Sequence, residues 1–466
     1  MTTRKPASAP TIFIILGATG DLAKRKLFPA LFHLHQKHLL PNRFRVIGFG
    51  RRALTDRTFH SLLTSSHALP QKGAGRFCKK ISYFRGDLTH LSSYSSLAQE
   101  ISRIILTWNQ CPNILFYLAT PPPLYLPIIS RLSKSGIAHT CSPQEGWSRI
   151  LIEKPFGKDA ASARAINRSL SSLFRESQIY RVDHYLARET IQNILTFRFS
   201  NSLFKPVWNT NYIERIYIIL HEKEGIRERG ALYDALGALR DVGQNHLLQM
   251  LALVTMNNPR EFSCNAIRKE RARVLSKLAR PQPRAIASFL RGQYRGYTHT
   301  AGVKSSSRTE TYFRITTHIN TPLWKKTDFI LESGKALAEN RKEISVVFRP
   351  TVPCFCPPSH SSHMHQNAIN FLLEPKEEIR ILFWAKKPGF SLDTFPASLP
   401  FSSPRQRALS PYEKLVHDAL EGDQTFFASS EEEEAAWRFI TPILTQWKRG
   451  KPFPYQPGLD PATLVS

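Results

Sequence analysis

Thr11-Ile-Phe-Ile-Ile-Leu16 is an unbroken apolar run that leads directly into Gly17-Ala-Thr19-Gly20-Asp21-Leu-Ala-Lys-Arg-Lys26. Leu27, Leu31, Leu34 and Leu39 follow at roughly helical spacing. A strand this apolar is buried on both faces, and strand, glycine turn and helix in succession predict the start of a parallel α/β sheet. The glycines permit close approach of backbone to a pyrophosphate, and the free N–H groups at the helix start attract it. Gly17, Thr19, Gly20, Asp21 and Lys26 are thus a candidate dinucleotide cradle, although Gly-x-x-Gly also occurs in ordinary turns. Pro29 is expected to kink or restart the helix.

The same rhythm continues. Phe44-Arg-Val-Ile-Gly48 reads as a second strand ending in Phe49-Gly50-Arg51-Arg52, where a fold of this kind holding NAD carries an acidic residue against the adenosine ribose. Arg51 suits the extra 2′-phosphate of NADP; the plain alternative is a solvated basic strand end. Ile81 to Phe84 and Ile114 to Thr120 read as further buried strands, the latter stopped by Pro121-Pro122-Pro123. Arg149-Ile-Leu-Ile152 is another, and the Glu153-Lys154-Pro155-Phe156-Gly157 that follows places Lys154 at the carboxyl end of a strand, where such sheets bind ligands. Lys154 is either a site residue or a solvent-facing turn lysine, and the Lys-Pro bond is a candidate for cis.

Beyond residue 180 the strands change character. Runs at Arg215 to His221, Tyr312 to Ile319, Phe329 to Leu331, Ile344 to Phe348 and Ile379 to Phe383, with long helices between some of them, predict an α+β domain with a mainly antiparallel sheet. The expected division is 1–180, a Rossmann-like dinucleotide-binding domain, and 181–466, a larger substrate-binding and dimerisation domain. At their junction Arg181-Val-Asp183-His184-Tyr185-Leu-Ala-Arg188-Glu189 crowds donors, fixed cations and a carboxylate into nine residues, either for a phosphorylated polyol or as an ion-pair network. Around Ala235 to Leu253 a helical stripe of Leu239, Val242, Met250 and Leu253 is shared by His246, while Asp241 and Asn245 lie on another face. A histidine so placed is a base or simply a packed core residue. Gly243 in mid-helix points to close packing. Ser430-Glu-Glu-Glu433 reads as a capping box for a last helix bearing Trp437, Ile440, Leu444 and Trp447.

With 64 Lys+Arg against 36 Asp+Glu the chain carries +28, so nucleic acid has to be considered. The basic residues are spread along the chain without a nucleic-acid motif, and a phosphate-rich cofactor and an anionic metabolite fit the field equally well; nucleic acid is not expected. No apolar run approaches the ~20 residues needed to span a bilayer, and Met1 to Pro10 lacks a signal-peptide core. The expectation is a cytoplasmic protein outside any membrane, its six cysteines free thiols. Cys354, Cys356, His360, His363 and His365 cluster without a common metal spacing, and no metal site is assigned.

Four stretches in register, Gly17 to Lys26, Glu153 to Gly157, Arg181 to Glu189 and Arg240-Asp-Val-Gly-Gln-Asn-His-Leu-Leu-Gln249, resemble the glucose-6-phosphate dehydrogenase family. Arg291-Gly-Gln-Tyr294, Ser307-Arg-Thr-Glu-Thr311, Gly334-Lys335-Ala-Leu337 and Lys386-Lys-Pro-Gly389 extend the likeness over the whole chain. The resemblance implies NADP-dependent oxidation of glucose 6-phosphate to the 6-phosphogluconolactone, the first step of the oxidative pentose phosphate pathway, by a homodimer or higher oligomer. It implies His246 as the base and Asp183 as the carboxylate that orients it. His184, Tyr185 and Arg188 would hold the 6-phosphate, Lys154 and Lys335 the sugar hydroxyls near the nicotinamide, and Glu222 and Asp241 would accept from other hydroxyls. The chain departs from the family's pattern at Ala187-Arg188 (Gly-Lys in the family), Lys326-Thr-Asp-Phe329 (Gly-Val-Pro-Phe), Glu332 (Arg) and Glu374 (often Gln). A divergent, non-catalytic relative that binds polyanions through the basic surface is the alternative implied by those departures.

Overall fold

The apolar runs of the first half form six parallel strands: β1 (Thr11–Leu16), β2 (Phe44–Gly50), β3 (Ile81–Arg85), β4 (Asn113–Leu118), β5 (Ser148–Glu153) and β6 (Ile179–Val182). Their spatial order is β3-β2-β1-β4-β5-β6, so the winding reverses between β1 and β4. Side chains alternate across the sheet, as the period of two requires: Phe13 and Ile15 enter one core with Leu27, Phe28 and Leu31, whereas Ile12, Ile14 and Leu16 enter another with Tyr125, Ile128 and Leu132. That is why β1 is apolar throughout rather than alternating. Pro29 stands in the first turn of a helix restarted at Phe28 (Phe28–Gln36), after a wide helical turn over Ala23–Leu27.

This computed structural model describes residues 9–71, 73–139, 146–279, 289–351, 365–391, 393–401 and 409–464. The chain divides into two units, one of Met1–Ala187, Ser263–Asn265 and Leu409–Ser430, the other of Arg188–Phe262, Ala266–Ala408 and Glu431–Ser466. The first unit therefore runs seven residues past the division at 180 and takes back a distant segment. The helix Pro411–Glu421 sets Leu415, Val416 and Ala419 into the same core as Phe13 and Ile15. Burial of side chains of this kind contributes roughly 1.5–3 kcal/mol each for Leu and Val, and that outweighs their distance in sequence.

The second unit is built on a nine-stranded sheet of β7 (Ile213–His221), β8 (Phe289–Tyr294), β9 (Tyr312–Thr317), β10 (Asp328–Gly334), β11 (Arg341–Phe348), β12 (Ala368–Glu374), β13 (Glu378–Lys386), β14 (Thr394–Phe401) and β15 (Phe453–Tyr455). The order is β14-β13-β12-β11-β7-β10-β9-β8-β15. Most neighbours are antiparallel, but β7 with β10 and β8 with β15 run parallel. Parallel neighbours need a crossover, and helices lie between β7 and β10 in the chain. No helix among the described residues is long and apolar enough to cross a membrane.

Cys111 is disulfide-bonded, a correction to the expectation of six free thiols, whereas Cys78 and Cys264 are free. Pairing depends on which segments pack together, which spacing along the chain does not reveal. Of the Cys354 to His365 cluster, all but His365 lies outside the described residues.

Candidate active site

In the first unit the sheet gathers the predicted residues along its carboxyl edge. β1 ends at Leu16 and the glycine turn follows, at the point where the strand order reverses. Gly17 has φ +90°, and a Cβ on it would stand 2.5 Å from the Ala119 carbonyl oxygen and 2.9 Å from Thr120 Cγ2. Only glycine lets the end of β1 pass this close to the end of β4. Gly20 donates its N–H to the Gly17 carbonyl at 2.9 Å and Lys24 donates to that of Gly20 at 3.1 Å, which tightens the turn into the wide helical segment. Asp21 is exposed and pairs with Lys24 at 3.4 Å, Lys26 is exposed, and Thr19 is half-buried. Arg51 is exposed one residue after β2. Thr120, just past β4, is buried with its Oγ1 unpartnered among the described residues. A narrow backbone cradle at the switch point, an orphan hydroxyl beside it and a cation after β2 fit a phosphorylated dinucleotide. Thr120 was missed from the sequence because a threonine before three prolines reads only as the end of a strand.

β5 and β6 settle the next pair. Their register matches Glu153 with Val182, so Lys154 and Asp183 each follow the strand end at adjacent places on the same edge. The Lys154-Pro155 bond is cis. Asp183 is 2% exposed, and its Oδ1 accepts the Tyr185 N–H at 3.0 Å, which fixes the turn after β6. The His184 ring lies 4.9 Å from that of Tyr185 and is stacked at 6.4 Å on Tyr412. Arg181, in contrast, is fully buried and spends its guanidinium on Glu176 at 2.8 Å and Asn167 at 2.9 Å. It serves the fold of that stretch.

Glu153 is the group sequence reasoning passed over. It accepts from the Tyr117 hydroxyl at 2.5 Å, while its backbone carbonyl accepts from Tyr125 at 2.7 Å. Burial pushes its carboxyl up to about 7, against the opposing pull of the Tyr117 and Tyr412 hydrogen bonds and of Lys154, and Asp183 nearby raises it further.

The second unit has its own cluster. The parallel register of β7 and β10 matches His221 with Gly334, so Glu222 and Lys335 emerge side by side and form an ion pair. Tyr455 donates its hydroxyl to the Lys335 carbonyl at 2.7 Å, and the Lys335 N–H donates to Thr311 at 2.9 Å. Glu332, where the resemblance leads one to expect arginine, is buried and compensated: it accepts from Tyr312 at 3.1 Å, pairs with Arg314 at 3.3 Å and meets His221 at 3.0 Å. Asp241 and His246 lie on Leu239–Leu247, a helical segment widened by an i→i−5 hydrogen bond that packs against β7 and β10. Such widened turns recur at functional sites. His246 is 1% exposed. Gly243 lies under Phe313, whose ring a Cβ would meet at 2.9 Å, as its mid-helix position suggested. Glu433 accepts from Gln244 at 2.9 Å and Glu432 pairs with Arg271 at 2.7 Å, both pairs buried. Two acids of the Glu431–Glu434 run thus anchor neighbouring helices, a role the capping pattern did not disclose.

Arg188 stands at the N-cap position of the helix Glu189–Phe199, and its side chain reaches the end of β12: Nη1 donates to the Leu373 carbonyl at 2.9 Å and Nη2 to Glu374 at 2.5 Å.

Two family models match the chain, "Glucose-6-phosphate dehydrogenase, NAD binding domain" over residues 14–193 and "Glucose-6-phosphate dehydrogenase, C-terminal domain" over residues 195–463. The glucose-6-phosphate 1-dehydrogenase of Chlamydia pneumoniae is 35% identical over 460 residues, covering 94% of this chain and 90% of that one. That of Borreliella burgdorferi is 36% identical over 452 residues, covering 93% and 91%. A solved glucose-6-phosphate dehydrogenase in complex with its substrate glucose 6-phosphate superposes with a TM-score of 0.89 at 30% identity, over 100% of this chain and 98% of the other. The enzyme from Mycobacterium avium gives 0.84 at 31%, over 97% and 95%.

Proposed function

Because the chain belongs to the glucose-6-phosphate dehydrogenase family, we propose that it oxidises C1 of D-glucose 6-phosphate with NADP, yielding 6-phospho-D-glucono-1,5-lactone. NADP, when bound, would supply the hydride acceptor; the Gly17 to Gly20 turn with Asp21 and Lys26, Arg51 for the 2′-phosphate and Lys154 would hold it. His246, as a neutral imidazole, takes the C1 hydroxyl proton, and Asp183 orients the ring and stabilises the imidazolium. Lys154 and Lys335 fix sugar hydroxyls by donation, and Glu222 and Asp241 fix others by acceptance. His184, Tyr185 and Arg188 hold the 6-phosphate. Orientation of this kind is the protein's main contribution to a hydride transfer.

The observation that carries the reading is strand register. Lys154 after β5 neighbours Asp183 after β6, and Glu222 after β7 neighbours Lys335 after β10, and this adjacency of residues far apart in sequence supports the roles proposed for them. The test is formation of NADPH absorbance with glucose 6-phosphate, with unphosphorylated glucose as the control. No reduction with either sugar would favour the non-catalytic alternative.

The cofactor assignment has its own check. Arg51→Ala is expected to weaken NADP by roughly ten- to a hundred-fold, since a hydrogen bond to a charged group is worth about 1.5–3 kcal/mol, and to leave NAD almost unchanged. Equal weakening of both cofactors would remove Arg51 from the 2′-phosphate site.

For assembly we propose a homodimer through β13 and β14. Phe383, Phe395, Leu399 and Phe401 are exposed, and the β13–β14 register puts them on one face. An apolar face at a sheet edge marks an interaction surface. Light scattering should give a dimer for the wild type and a monomer for Phe395→Glu/Leu399→Glu; an unaltered dimer would exclude this face.

A further inference from the structure

We propose that Glu374 is a specificity-determining residue, an internal carboxylate that competes with the substrate's phosphate for Arg188 and narrows the preference for phosphorylated over unphosphorylated sugar. The inference rests on the reading of Arg188 as a phosphate anchor, and it concerns what that anchor holds when no phosphate is present.

The stretch around Arg188 offers an anion two attractions: a guanidinium, and the N-terminus of the eleven-residue helix Glu189–Phe199. Each already holds a carboxylate, Glu374 at the end of β12 or Glu377 in the turn that follows it. Glu374 Oε1 accepts from Arg188 Nη2 at 2.5 Å, and Glu377 Oε1 lies 3.8 Å from Nη1. Glu377 Oε2 accepts both the Thr190 N–H and the Thr190 hydroxyl, each at 3.0 Å, in the first turn of the helix. A second cation, Lys342, holds the other oxygen of Glu374 at 2.7 Å. Burial alone would raise the Glu374 carboxyl, but Lys342 and Arg188 outweigh it and hold the group below the usual carboxylate range. Glu374 is therefore ionised at neutral pH.

Arg188 and Lys342 thus face Glu374 and Glu377. A phosphate that reaches Arg188 has to displace Glu374 or share the guanidinium with it, and like charges at contact distance repel. Glutamine, the residue often present here in the family, keeps an oxygen for the Arg188 N–H and carries no charge. With glutamine the phosphate would meet one negative charge fewer at Arg188. Unphosphorylated glucose has no group that depends on this balance.

The test compares wild type, Glu374→Gln and Arg188→Ala in steady-state kinetics with both sugars, and in calorimetric titration with inorganic phosphate, which needs no turnover. Glu374→Gln should lower KM for glucose 6-phosphate by about tenfold, tighten inorganic phosphate by a similar factor and move KM for glucose by about twofold at most. If KM for glucose 6-phosphate and the affinity for inorganic phosphate stay put or worsen in Glu374→Gln, while Arg188→Ala raises that KM, the competitor role of Glu374 is overturned and the phosphate anchor stands. If Arg188→Ala leaves KM for glucose 6-phosphate unchanged, the anchor itself is wrong and the inference falls with it.

Discussion

His246→Asn is expected to lower kcat by roughly 10²–10⁴, the usual contribution of a positioned general base, while KM for glucose 6-phosphate stays within a few-fold. The expectation follows from where the imidazole sits. It is buried on the widened helical segment that packs against β7 and β10, so its position is set by packing and it meets little bulk water. Asparagine preserves polarity in a smaller side chain but cannot take up a proton at neutral pH. Asp183→Asn is the companion variant: its Oδ1 can still accept the Tyr185 N–H, so the turn after β6 survives while the charge is lost. Its rate should fall as well on the proposed mechanism, which gives Asp183 the part of orienting the base and balancing its imidazolium. A KM that rises in step with the fall in kcat for His246→Asn would identify the histidine as a structural core residue, the other reading its apolar stripe allowed.

What was legible beforehand divides along the line between local and non-local information. β1, β2, β4 and β5 announce themselves because a parallel strand covered on both faces is apolar without interruption, and each is ended by glycine or proline chemistry. β14 was silent: Pro396 and Pro400 interrupt Thr394–Phe401, a pattern tolerated only because β14 is an edge strand bonded on one side to β13. β6 is four residues long and too short to carry a period. The parallel pairing of β7 with β10 and the return of Pro411–Glu421 to the first unit are facts of packing, with no local signature. The same holds at the site. Lys154, Asp183, Glu222 and Lys335 were nameable from motifs, but Glu153 beside Lys154, Glu374 on Arg188, Glu433 on Gln244 and Thr120 past β4 looked like turn, departure, cap and strand end. Carboxylates are the hardest to read. A solvated glutamate and a buried one are spelled alike, and only the tertiary neighbourhood decides whether the charge is free, paired or suppressed.

Glu153 gives that last point a measurable form. Its carboxyl is pushed up to about 7 from an ordinary 4.5, so the folded protein keeps a proton that the unfolded chain releases in mild acid. For an acid raised in the folded state, stability is full below the unfolded value and declines as pH rises through the folded one. The window here runs from pH 4.5 to about 7. At about 1.4 kcal/mol per pH unit, the decline attributable to this group is on the order of 3 kcal/mol. Above that window a charge resides among Tyr117, Tyr125 and Tyr412, with Asp183 adding repulsion and Lys154 offsetting part of it. Glu153→Gln keeps an acceptor for the Tyr117 hydroxyl and removes the titration. Urea unfolding at intervals from pH 5 to pH 8 should therefore show wild type losing stability relative to Glu153→Gln as pH rises, with the two curves parallel again once Glu153 is fully ionised. Parallel curves across the whole range would mean that Glu153 ionises normally in the folded protein. Lys154, one residue away, would then share its charge with a neighbouring anion at working pH rather than direct it to the substrate.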